Sequence, residues 1–260
     1  MTEYGEIQED FYAERTRILD ALALKGNNHI ILRLIGALAF RTHCPQYGYI
    51  QEALGRVFTD IDFASYRHFF KDIVILLTDL GYKEDKMVTR LFSEVRLLFH
   101  DPKFGRHIDI FFDKLDFSHV IPLKGRLEVD SPTLPLAELF LEKMQIVRIN
   151  EKDLIDTIML LREHPVGNTD DETINCEVVC SLCASDWGLW RTVTGNLEIV
   201  GGFLDSYSQL TDEDRRVVRG RIEKLRSLID SYPKTARWKL RSRIGERVKW
   251  YKEVEELAGR

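Results

Sequence analysis

Apolar side chains recur at helical spacing between residues 8 and 25 (Phe11, Tyr12, Ile18, Leu19, Leu22, Leu24), which predicts a first helix closed by Gly26-Asn27-Asn28. Residues 29–36 then read as a strand that enters a helix at Gly36, and residues 43–48 as a loop. In residues 56–63 the period becomes two: Ile61 and Phe63 alternate with Asp60 and Asp62, so the acids share one face and the apolar pair the other. Residues 64–80 return to a helical stripe stopped by Gly81. Residues 90–98 and 107–112 read as strands around a turn at 101–105, and residues 125–136, with Pro132 and Pro135, could add one edge strand.

Beyond residue 136 the texture is almost wholly helical. Helices are predicted over 136–147, after Asn150 (a cap with Asp153 at its third position), over 174–189, after a Thr211 cap, and past Pro233 to near Leu257. The fold class is therefore α+β, a mixed sheet with flanking helices followed by a mainly helical region. The boundary falls between 1–137 and 138–260.

Composition alters this little. The chain has 260 residues, a formal charge of -5 and the apolar and charged fractions of an ordinary soluble protein, so neither nucleic acid nor an acidic partner follows from the sum. The longest apolar run, 29–40, is interrupted by Arg33 and too short to span a bilayer, and the acidic start lacks the features of a signal peptide. The expected setting is the cytoplasm, with no membrane partner. Of four cysteines, Cys176, Cys180 and Cys183 are close enough to suggest zinc. Without a nearby fourth ligand, buried thiols acting as small hydrophobes are the favoured reading.

The candidate chemistry lies in the strands. Asp60 and Asp62 project together, and such like charges are relieved by a hard divalent cation held between carboxylates and substrate phosphates. Asp109 sits between β-branched residues, where aspartate is disfavoured, and an acid placed against local preference marks a suspected site. Gly36, at a strand-to-helix junction, would let backbone N–H groups approach a phosphate. Taken singly, each has a bland alternative: a solvated edge acid, a strand-end acid, a tight packing contact.

Residues 35–39 (Ile-Gly-Ala-Leu-Ala), then Arg56 with Thr59-Asp60-Ile61-Asp62-Phe63, then Ile108-Asp109-Ile110, together resemble the DNA polymerase β nucleotidyltransferase superfamily. Residues 134–143, followed by Lys152-Asp153 and Asp156, look like its branch of abortive-infection (AbiEii-like) toxin nucleotidyltransferases. The family turn usually carries Gly-Gly or Gly-Ser, whereas this chain has Gly36-Ala37. The resemblance implies Mg²⁺-dependent transfer of a nucleotide from an NTP to a hydroxyl of RNA (a tRNA-like end) or protein, with a toxin–antitoxin setting among its possibilities. Asp60, Asp62 and Asp109 would hold two Mg²⁺ ions, and Asp109 would help deprotonate the acceptor. The turn at Gly36-Ala37 would meet the triphosphate, and Lys143 would contact a phosphate oxygen or lie as a surface lysine. Arg56 is a phosphate or strand-end charge. Asp153 would orient Lys143 or cap its helix, capping being favoured.

The basic, tryptophan-bearing stretch 234–252 could bind RNA, although inward-packed aromatics with solvated charges are commoner. Asp186-Trp-Gly-Leu-Trp190 could likewise line a base pocket or a core corner. Two rival readings stand beside the enzyme: a degenerate nucleotidyltransferase fold that binds without catalysis, and a helical interaction protein whose acids are surface charges.

Overall fold

The computed structural model describes residues 3–253, with side chains from residue 10. Its N-terminal half holds α1 (Glu3–Ala23), β1 (Leu32–Ile35), α2 (Gly36–His43), α3 (Tyr49–Ala53), β2 (Asp60–Ser65), α4 (Phe70–Asp79), β3 (Lys83–Glu84), α5 (Lys86–Phe92), β4 (Arg96–His100) and β5 (His107–Phe112). There follow β6 (Lys114–Asp116), β7 (Val120–Pro122), α6 (Leu136–Met144), α7 (Glu151–Glu163), β8 (Val166–Gly167), β9 (Ile174–Asn175), α8 (Cys176–Ser185), α9 (Trp187–Phe203), α10 (Asp212–Ser231) and α11 (Ala236–Ser242). The fold is α+β, a mixed sheet followed by a helical region. No described helix is long and apolar enough to cross a membrane.

The chain packs as two compact units that interleave along the sequence. One comprises residues 1–43, 57–115 and 122–135; the other comprises 44–56, 116–121 and 136–260. The first is built on a five-stranded sheet of order β1-β2-β5-β4-β3. Only the central β2–β5 pair is parallel; its neighbours run antiparallel. Ile61, Phe63, Ile108, Ile110 and Phe112 are sealed from solvent on one face of these strands. In the second unit α6 is buried all round, and α10 turns Val218, Ile222, Leu225 and Ile229 inward.

Several boundaries differ from the pattern reading. β2 runs on through Ser65 and Tyr66 is extended, so the expected helix at 64–80 begins as α4 at Phe70. The strand expected at 90–98 is first a helix: Asp85 accepts from the N–H groups of Met87 and Val88 and caps α5, and the strand starts only at Arg96. Residues 125–136 contribute one isolated bridge, Leu34 to Thr133, and no strand. The helix expected over 174–189 is two, because Asp186 is extended and caps α9 through the N–H groups of Gly188 and Leu189. The last helix ends at Ser242; residues 254–260, where its end was expected, lie outside the described residues. The loop expected at 43–48 leads into the unanticipated α3.

Candidate functional site

Strand register fixes the acids. Asp62 is the partner of Asp109 across the parallel β2–β5 pair, and Asp60 is the partner of His107. Register partners point to the same face, so Asp60, Asp62 and Asp109 lie on one side of the sheet, opposite the sealed Ile61 and Phe63. Neighbouring strands lie about 4.8 Å apart and alternate residues of a strand about 6.6 Å apart, which puts all three Cα atoms within one small patch.

Antiparallel pairing sets Ile35 beside Asp62, and the next residue, Gly36, opens α2. Gly36 has φ +67°, and a Cβ built there would stand 2.8 Å from the Asp62 Oδ2. Glycine is required twice over, by the left-handed backbone and by the close carboxylate. The first turn of α2 contains no acid of its own, its glycine instead facing the Asp62 carboxylate, and Ala37 sits half-buried in that turn.

Sequence reasoning missed one neighbour. Arg96 donates through Nε to Asp109 Oδ1 at 2.6 Å, and Asp109 is fully buried. Arg96 also lies over the Phe111 ring at 5.3 Å. The signal was alternation: Leu98 pairs with Asp109, so Arg96, two residues back, shares its face. That signal lay within the strands read at 90–98 and 107–112, but the turn between them sets which residues face one another.

The patch suits a divalent ion only in part. The paired register of Asp62 and Asp109, the space kept at Gly36 and the half-exposed Asp60 and Asp62 suit a cation with phosphate ligands. Among the described residues, however, the three carboxylates do not yet form a group with ligand atoms all within 4.8 Å of one another. Asp109, moreover, is already neutralised by Arg96. Holding two ions would therefore draw the carboxylates inward and make Arg96 share Asp109.

Arg56 and Lys143 belong to the second unit, where they converge on Asp156. Arg56 bonds both carboxylate oxygens of Asp156 at 3.3 Å, and Gln51 donates to the same group at 2.8 Å. The Lys143 Nζ stands 3.2 Å from Glu142, 3.3 Å from Asp153 and 3.4 Å from Asp156. Burial alone would lower the Lys143 pKa, yet these carboxylates outweigh it and raise it above the ordinary lysine value. Lys143 is thus a buried cation among acids, not a surface lysine. Asn150 caps α7 by accepting from the Asp153 N–H, while the Asp153 carboxylate pairs with Lys143, so its side chain orients the lysine as well.

The three clustered cysteines are free, on α8, with Cys180 and Cys183 buried. Burial pushes the Cys180 thiol up to about 11, which suits a packing role over a reactive one. The tryptophans face one another: Trp238 meets Trp190 at 5.2 Å and Trp250 meets Trp187 at 6.0 Å, both edge-on. Compared with models of protein families and with curated proteins, the chain matches none.

Proposed function

We propose that the chain is a Mg²⁺-dependent nucleotidyltransferase that moves a nucleotide from an NTP to a hydroxyl of RNA or protein, in a cytoplasmic setting. The observation that carries this reading is the register of Asp62 with Asp109 beside the glycine turn at Gly36. Asp60, Asp62 and Asp109 would hold the metal. When bound, Mg²⁺ would neutralise charge on the triphosphate and favour loss of the acceptor proton. The chain's own part is positional. The rigid strands fix the acids, and the first turn of α2, with no acid of its own and the Asp62 carboxylate at its glycine, would hold a phosphate beside the metal-binding acids. Arg96 tethers Asp109 and neutralises it until cations arrive.

That same Arg96–Asp109 pair favours a second reading, in which the fold binds a nucleotide without transferring it. One experiment separates the two. Purified protein is incubated with each labelled NTP, Mg²⁺, and total RNA or lysate, and the labelled macromolecule is identified. Label on RNA or protein that vanishes in Asp62→Ala and Asp109→Asn supports transfer. A melting temperature raised by NTP and Mg²⁺ with no label anywhere supports the binding module. Transfer undiminished in both variants removes the three acids from the mechanism.

A further inference from the structure

The helical unit carries a cleft of about 450 Å³, lined by Val147, by Arg191, Thr192, Gly195, Asn196, Glu198 and Ile199 along one side of α9, and by Trp250. Its size suits a single small ligand. What it offers is specific. Trp250 is pinned: its indole N–H donates to Thr192 Oγ1 at 3.3 Å and its ring meets Trp187 edge-on. Arg191 is held by one atom, Nε on Glu246 at 2.5 Å, and its terminal nitrogens are bonded to no described residue. Gly195 makes room for that guanidinium, since a Cβ there would stand 2.9 Å from Arg191 Nη1. Asn196 donates to the carbonyls of Met144 and Ile146 at 3.0 and 2.8 Å, and no described residue donates to its Oδ1.

The cleft therefore presents an aromatic ring and apolar walls (Val147, Ile199), a pair of guanidinium donors, one amide acceptor, and the Glu198 carboxylate, which Arg226 engages. A lipid chain would leave the polar groups unmet. A nucleobase supplies a planar face with ring or carbonyl acceptors and N–H donors on its edges. We propose that this cleft binds a nucleobase, which packs on Trp250 and is read by Arg191 and Asn196. It stands independently of transfer by the three acids, needs no metal, and takes a single nucleotide.

The test uses the full chain in EDTA, with AMP, GMP, CMP and UMP as probes in equilibrium dialysis and ribose 5-phosphate as the base-free control. At least one mononucleotide should bind with Kd below about 1 mM, and ribose phosphate should not. Arg191→Met and Gly195→Leu should each weaken binding about tenfold or more. The Cβ added at 195 meets the far end of the flexible Arg191 side chain, and leucine improves helix propensity, so its melting temperature should hold while the cleft fills. The double variant Asp60→Ala with Asp62→Ala should bind as the wild type does, whatever its transferase activity. The proposal is overturned by absent mononucleotide binding, by equal binding of ribose phosphate, by unchanged affinity in both cleft variants, or by loss of binding in the Asp60/Asp62 variant.

Discussion

Gly36 and Arg96 show how much one position can decide. Alanine at Gly36 would occupy a left-handed backbone, at a cost of about 1–2 kcal/mol, and its methyl would displace the Asp62 carboxylate. Urea unfolding of Gly36→Ala should show that loss, and any transferase or metal-linked stabilisation should fall with it. Arg96→Met leaves Asp109 buried beside an apolar chain and should destabilise the fold by about 3–5 kcal/mol. Adding Asp109→Asn should recover much of this, because the uncompensated charge is then gone. A double variant as unstable as the single would show that Arg96 acts through packing on Phe111 instead. Sequence alone brought Asp60, Asp62, Asp109 and Gly36 to attention because each breaks a local rule. It did not reveal Arg56 as a buried partner of Asp156, because the two stand a hundred residues apart and neither is unusual among its neighbours.

At the scale of elements, what was readable was what is locally determined. Strand β5 follows from strict alternation, and the starts of α7 and α10 follow from Asn150 and Thr211, both of which cap as their side chains suggest. What escaped were elements whose propensity and cap disagree. Leu91, Phe92 and Val95 favour a strand, but Asp85 nucleates a helix before them. The cap of α10 extends into its unit. Asp214 closes the capping box with Thr211 and also receives Arg162 at 2.6 Å and Tyr49 at 3.0 Å. Burial alone would raise the Asp214 pKa, but these hydrogen bonds outweigh it and hold the carboxyl below the ordinary aspartate value. A depressed folded-state pKa contributes stability above the unfolded value, near 3.9, and loses it as pH falls through the folded one. Stability should therefore decline below about pH 4, and Asp214→Asn should flatten that decline while costing about 3 kcal/mol or more at pH 7. Denaturant titrations from pH 2 to 7 measure both effects.

At the scale of the whole molecule, the two units are not two lengths of chain. The helical one needs residues 44–56 and 116–121, which supply Gln51 and Arg56 to Asp156 and His119 to Thr192. A cut at the texture change near residue 137 strands those partners, so the fragment 138–260 should lack a cooperative thermal transition, whereas adding residues 44–137 back in trans should restore one. A sharp transition from 138–260 alone would show that the buried charges around Asp156 are dispensable. The texture change was visible in the sequence; the interleaving was not, since composition does not report which segments return. The parallel pairing of β2 with β5 carries a consequence of its own. Those strands meet only after α4, β3, α5 and β4 have been laid down between them, so as the chain leaves the ribosome Asp62 waits for a neighbour not yet made. A chain that stops short of His107 therefore cannot assemble the acidic patch, whatever else of it has folded.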